Sequence, residues 1–233
     1  MKTYFRRHTI KQISSYFFLL LLAPFWACAQ SHADVSKSNT FKEMEKAGAA
    51  KSTDSKSDTA TFAAGCFWCV EEQFKQLDGV TSVVSGYTGG TVPNPTYKQV
   101  GMGLTGHAEA CNIVYDPSKI SYDELLAAFF VSHNPTTLNR QGNDEGTQYR
   151  SAIFYHNDKQ HKLAEFYIKR LDEEKAYADP IVTEVAPYKK FYKAEDYHQN
   201  YYELNANVPY CQFVVKPKRD KFREVFKGKL KQE

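Results

Sequence analysis

Thr61-Phe62-Ala63-Ala64-Gly65-Cys66-Phe67-Trp68-Cys69-Val70-Glu71-Glu72 is the stretch of this 233-residue chain from which its fold and chemistry are read. Thr61 to Ala64 reads as a short buried strand. Phe67, Val70, Phe74 and Leu77 then recur at helical spacing, with Glu71 and Glu72 in the first turn. Cys66 falls at the junction, at a helix N-terminus, where unpaired backbone N–H groups and the helix dipole favour an anion. That placement predicts a lowered thiol pKa and a reactive thiolate.

The pair Cys66/Cys69 is a C-x-x-C, and several chemistries use that spacing. A c-type haem site needs His directly after the second Cys, where this chain has Val70. A structural zinc site needs a second Cys/His pair, and Cys28, Cys111 and Cys211 are isolated in sequence. A structural disulfide here would close too small a loop to stabilise much. A redox-active pair stays open as a competing reading.

Outward from this stretch, the chain divides into three parts. Lys2, Arg6, Arg7 and Lys11 precede an apolar run from Tyr16 to Trp26 that is short for a bilayer span. Ala27-Cys28-Ala29 then fits a small-residue cleavage site, so residues 1–29 read as a signal peptide. A loose lipoprotein signal with Cys28 as the lipidated residue is the alternative. Residues 30–58 are rich in Ser, Lys, Asp and Ala and read as a flexible linker. Residues 59–233 alternate strand and helix signals and are long enough for one domain with a substantial core. Removing residues 1–29 removes four basic and no acidic residues, leaving a nearly balanced charge. The basic stretch Lys216 to Lys231 reads as a solvated terminal helix, and no nucleic-acid role follows.

Gly86-Tyr87-Thr88-Gly89-Gly90 and Pro93-Asn94-Pro95-Thr96-Tyr97 mark tight, preset loops carrying tyrosines. Thr105-Gly106-His107-Ala108-Glu109 leads into a strand from Ala110 to Tyr115. A carboxyl at that point is expected to be partly buried, with a raised pKa suited to acid catalysis. Ser121 to Ser132 reads as a structural helix, with a Ser121/Glu124 capping box and a core face of Tyr122, Leu125, Leu126, Phe129 and Phe130. The polar loop from Asn139 to Ser151 is long and specific, which suits a functional loop. Local turn bonding by Asn143 and Asp144 is its structural alternative.

Seven of these segments, in order, resemble the A-type peptide methionine sulfoxide reductases. They are Gly-Cys-Phe-Trp at 65–68, Gly-Tyr-Thr-Gly-Gly at 86–90, Asn-Pro-Thr-Tyr at 94–97 and Thr-Gly-His-Ala-Glu at 105–109. Further on come Arg-Gln-Gly-Asn-Asp at 140–144, Gly-Thr-Gln-Tyr-Arg-Ser at 146–151 and Ala-Glu-Asp-Tyr-His-Gln at 194–199. Cys69 places the chain with a Gly-Cys-Phe-Trp-Cys subgroup. The resemblance implies an α+β fold, a two-layer α/β sandwich with a ferredoxin-like core and long loops. It also implies that Cys66 attacks the sulfoxide sulfur of methionine-S-sulfoxide, free or protein-bound. Phe67 and Trp68 would cradle the substrate methyl, Glu109, Tyr97 and Tyr149 would hydrogen-bond the oxygen, and Asp144 would support that network. The implied partners are oxidised proteins or peptides and a thioredoxin-like reductant, with the chain acting as a monomer and touching a membrane only if Cys28 is lipidated. Repair of exported proteins, in the periplasm or at the cell envelope, is the expected setting.

The chemistry itself asks for these residue types. A sulfoxide oxygen leaves only when protonated, the sulfur needs a thiolate, and a second thiol can condense with the resulting sulfenic acid. No metal or organic cofactor is needed. Cys211 and Cys69 are both candidate resolving thiols. Cys211 is favoured narrowly, because a Pro-containing segment near the C-terminus is expected to be mobile. Cys111 reads as a small buried strand residue, and Asn134 stands where the family usually has Asp. A general thiol–disulfide oxidoreductase and a Met-binding module are the competing functions.

Overall fold

The computed structural model describes residues 35–47 and 57–232; the stretch read as a signal peptide and about half of the one read as a linker lie outside them. In chain order its elements are α1 (Asn39–Ala47), β1 (Asp58–Ala64), α2 (Phe67–Phe74), β2 (Val80–Thr88), α3 (Tyr97–Gly101), β3 (Ala108–Tyr115) and α4 (Tyr122–Ser132). There follow β4 (Arg140–Gln141), β5 (Asp144–Glu145), β6 (Ser151–Tyr155), α5 (Asp158–Glu173), β7 (Glu184–Pro187), β8 (Phe191–Lys193), α6 (Tyr201–Leu204), a π-helical turn (Cys211–Val215) and α7 (Lys216–Val225).

The main sheet has the order β7-β6-β1-β3-β2-β8. Its inner four strands, with α2 and α4 as crossovers, make the β-α-β-β-α-β pattern of a ferredoxin-like core. All pairings are antiparallel except β6 with β7. The α+β sandwich expected from the resemblance is therefore the observed architecture.

Strand alternation decides which side chains reach the helix layer. On β1, Ala60, Phe62 and Ala64 join the main core, while Ala63 packs on the other face with Ala108, Ala110, Ala152 and Phe154. On β3, Cys111, Ile113 and Tyr115 point into the same main core. Glu109 has their parity, so the period that builds the core also carries one carboxyl beneath α2. The α4 capping box and buried face are as read, with Ser121 accepting from Glu124 N–H and the Glu124 carboxylate accepting from Ser121 N–H.

The linker reading fails over residues 35–47. Phe41 and Met44 are buried, and the Phe41 ring lies 6.0 Å from that of Phe226. Thr40 donates through both N–H and Oγ1 to the Glu174 carboxylate, at 3.1 and 2.8 Å. Polar composition hid a short amphipathic helix whose large apolar residues, Phe41 and Met44, are buried. The C-terminal stretch is likewise helical but only partly solvated, since α7 buries Phe222 and Phe226 beneath its basic face. Truncating a buried Phe costs about 3 kcal/mol or more. Phe41→Ala is therefore expected to lower the unfolding free energy by about 3 kcal/mol, read from the midpoint of a urea titration; an unchanged midpoint would mean that α1 does not dock.

Candidate active site

Cys66 caps α2 from outside the helix, with φ −60° and ψ 122°. Gly65 turns the chain from β1 into that position with φ +86°, and a Cβ there would meet Gln141 Cγ at 2.6 Å. Gln141 is held in turn by Asn134, whose N–H donates to Oε1 at 3.1 Å and whose carbonyl accepts from Nε2 at 2.9 Å. Asn134 also accepts from Thr136. The Asn134 backbone thus holds Gln141, and its side-chain oxygen accepts within the turn.

The acid arrives from the sheet. Glu109 is 2% exposed and its Oε2 accepts the Phe67 N–H at 3.1 Å, so an orphan donor of α2 is satisfied by β3. Burial, then the neighbouring Cys66, pushes its carboxyl well above the usual range; the Phe67 bond opposes this without reversing it. The direction is the one an acid at this position needs.

Cys66, Phe67, Trp68, Tyr97, Glu109, Asp144, Tyr149, Tyr201, Val208, Pro209 and Tyr210 line one cavity of ≈ 400 Å³. All seven residues read from the sequence as nucleophile, acid, oxygen donors, aromatic wall and supporting carboxylate lie on it. Trp68 stacks on Tyr201 at 3.7 Å and meets the Tyr210 ring edge-on at 5.7 Å. Burial, with Glu109 and Cys66 beside it, pushes the Tyr97 phenol up to about 12. Tyr149 is pushed up by the same causes. Both therefore stay protonated donors. Asp144 accepts the Tyr210 hydroxyl at 2.9 Å, a link between the polar loop and the C-terminal segment rather than a local turn bond.

Two sequence expectations are corrected. Cys66 is 4% exposed, and burial pushes its thiol well above the usual value, with a hydrogen bond to Cys69 adding to the rise; the helix terminus does not outweigh desolvation. Cys69 is the thiol held low, chiefly by the Cys66 hydrogen bond. Cys211 is not on a mobile arm. It is fully buried in the π-helical turn, in one cluster with Cys66, Cys69, Tyr202 and Val215, while Phe213 beside it in sequence is 81% exposed. Cys111 is the buried strand thiol expected, donating to Phe67 O at 3.6 Å.

Tyr201, Tyr210, Glu195 and His198 were missed. His198 Nδ1 accepts the Trp68 indole N–H at 3.2 Å, and Glu195 accepts the Tyr97 N–H at 2.9 Å. His198 and Glu195 stand within a motif already quoted, and nothing local marks their role, because each acts across more than 90 residues of separation.

A buried carboxyl above a helix-capping thiol, walled by aromatics, defines a thiol-dependent reductase site. Residues 58–230 match the family model described as peptide methionine sulfoxide reductase. The chain is 56% identical over 174 residues to peptide methionine sulfoxide reductase MsrA 1 of Rhodopirellula baltica, covering 75% of this chain and 90% of that protein. It is 53% identical to the MsrA of Polynucleobacter asymbioticus, with 73% and 90% covered. Among solved structures it is similar to reduced Mxr1 from Saccharomyces cerevisiae, with TM-score 0.63, 37% identity, and 69% and 92% covered. Methionine sulfoxide reductase A of Corynebacterium diphtheriae aligns with TM-score 0.60, 35% identity, and 67% and 80% covered. The chain belongs to the A-type peptide methionine sulfoxide reductases and is an enzyme that reduces methionine sulfoxide.

A carboxyl whose folded pKa is raised makes folding less favourable as pH rises above its unfolded value, until the folded pKa is passed. Glu109→Gln removes that penalty. It is expected to raise Tm at pH 7 relative to the wild type, with the gap closing below pH ~4, while slowing the chemical step by about 10²–10⁴-fold. Thermal scans at both pH values and single-turnover methionine formation check the two halves. A Tm gap independent of pH would mean that Glu109 is not protonated in the fold.

Proposed function

We propose that Cys66 reduces methionine-S-sulfoxide, with Glu109 as the acid, and that a disulfide completes the turnover. The observation that carries this is the Phe67 N–H bond to Glu109, which puts the acid next to the nucleophile at the base of an aromatic-walled cavity. Cys66 Sγ attacks the sulfoxide sulfur as Glu109 gives its proton to the oxygen. Oxygen then passes to Cys66: the substrate sulfur keeps the electron pair and becomes methionine, Cys66 becomes a sulfenic acid, and Glu109 regains a proton from the Cys66 thiol. Tyr97 and Tyr149 steady the oxygen by donating to it.

Epimer selection follows from the walls. Cys66 fixes the direction of attack, Glu109 with the two tyrosines fixes the oxygen, and Phe67 with Trp68 fixes the methyl. Three directions at a tetrahedral sulfur set its handedness, so one epimer presents its side chain outward to the mouth.

For the second step we favour Cys69 over Cys211. Cys66 has extended rather than helical backbone, which frees its Sγ to meet a thiol one turn into α2. The two thiols lie in one buried cluster, and Cys69 is the one whose pKa is lowered, chiefly by Cys66. Condensation forms the Cys66–Cys69 bond and releases water. Cys211, in the same cluster, can then exchange into that bond, and a thioredoxin-like dithiol returns the enzyme to its reduced form. The N-terminal 29 residues support export and a role in repairing exported proteins; the mass of the mature N-terminus separates cleavage before Gln30 from a lipidated Cys28.

Cys66→Ser is expected to abolish reduction of a methionine sulfoxide peptide by dithiothreitol while leaving Tm within a few degrees. Peptide mapping after one equivalent of substrate without reductant is expected to show a Cys66–Cys69 bridge; a Cys66–Cys211 bridge as first product reverses the order. The shared cluster of the two thiols is what keeps a general oxidoreductase in view. Insulin reduction at a rate matching sulfoxide reduction would favour that rival.

A further inference from the structure

Residues 194–200 connect β8 to α6, and none of residues 194–199 lines the cavity. Three of their side chains nevertheless each hold something that does, or the sheet beneath it. Gln199 ties the segment to β2, donating through Nε2 to Ser85 O and Ala194 O at 3.0 Å and accepting the Ser85 N–H at 3.1 Å. His198 accepts the Trp68 indole N–H, and its ring lies 4.3 Å from the Tyr97 ring. Glu195 uses both carboxylate oxygens inward: Oε1 accepts the Tyr97 N–H at 2.9 Å and Oε2 accepts the Tyr87 hydroxyl at 2.8 Å.

The Tyr97 bond is the informative one. Tyr97 opens α3, a helix of only five residues, and its N–H has no intrahelical partner. Thr96 and Gln99 already cap one another there, so the helix start is satisfied without Glu195 except at this one N–H. A surface glutamate would turn outward to water. This one reaches across 98 residues of sequence to the backbone that carries a cavity phenol. Tyr87 is fully buried on β2, so its hydroxyl gives the carboxylate a fixed point to brace against.

We propose that Glu195 is a positioning residue for sulfoxide reduction: by holding the Tyr97 N–H against Tyr87 it sets the Tyr97 phenol over the sulfoxide oxygen. This rests on the reading of Tyr97 as an oxygen donor. Burial works against the Glu195 charge, but the bonds from Tyr97 and Tyr87 and the nearby His198 hold its carboxyl below the usual range, so it is a carboxylate at neutral pH. His198 Nε2, 3.9 Å from Glu195 Oε2, is the facing titratable group on its own turn. Tyr87 faces it from β2 and Tyr97 from α3.

The test is a double-mutant cycle on single-turnover methionine formation, measured before any recycling by reductant. Glu195→Leu is expected to slow that step roughly tenfold, the scale of one lost hydrogen bond to developing charge, with little change in the substrate concentration giving half the maximal rate. Glu195→Gln keeps an acceptor for Tyr97 and is expected to stay within about threefold of wild type. In a Tyr97→Phe background, Glu195→Leu is expected to cause no further loss. Full multiplication of the two effects, or a wild-type rate for Glu195→Leu beside a slow Tyr97→Phe, overturns the positioning role alone. A wild-type rate for Tyr97→Phe removes the donor reading and this proposal with it. If Glu195→Leu does not fold, Glu195→Asp, too short to reach both partners, enters the same cycle.

Discussion

The 3.1 Å bond from the Phe67 N–H to Glu109 Oε2 is the constraint around which the rest of the molecule is arranged. It joins the start of one helix to the head of the central strand β3, and it does so through the one carboxyl on that strand that shares the parity of the core. Because α2 packs on β2 and β3, its first N–H groups end over Glu109 rather than in water. Cys66 and Glu109 are thereby neighbours through the fold itself, with no loop needed to bring them together.

Burial serves that pair unequally. For Glu109 it is useful, because a carboxyl kept protonated can deliver its proton to a poor leaving group. For Cys66 it is a handicap, because the same low polarity disfavours the thiolate. The surroundings answer the handicap locally. The Tyr210 hydroxyl beside Cys66 favours its anion, although Cys69 adds to the rise. The cavity walls come from separate parts of the chain, so no single element can shift without disturbing the others: α2 gives Phe67 and Trp68, α3 gives Tyr97, the loop after β5 gives Tyr149, and the C-terminal segment gives Tyr201 and Tyr210.

Much of this was legible in the residues because it depends on local pattern. The Gly65-Cys66 junction, the helical spacing after it and the parity of Glu109 on β3 are all short-range facts. So was the Ser121/Glu124 capping box. What escaped depends on contacts between distant segments. Nothing in residues 194–199 announces that Glu195 meets Tyr97 or that His198 meets Trp68. The polar composition of residues 30–58 concealed α1, whose docking needs only Phe41, Met44 and the Thr40–Glu174 bonds. The thiol pKa was misjudged for a related reason: helix position is visible in sequence, whereas the depth of burial that opposes it is not. A proline and the chain end near Cys211 are visible in the sequence, while the apolar cluster enclosing it is not.

The near-complete enclosure of Cys66 also bears on how long the enzyme survives its own conditions. Methionine sulfoxide is made by oxidants, and those oxidants can carry a sulfenic acid onward to the irreversible sulfinic state. That second oxidation is a bimolecular race against capture by a neighbouring thiol. With Cys66 only 4% exposed and Cys69 in the same buried cluster, capture by that neighbour would have the advantage of proximity, and the oxidant has almost no surface to strike. The geometry that makes the thiol slow to ionise therefore also limits the enzyme's inactivation by overoxidation.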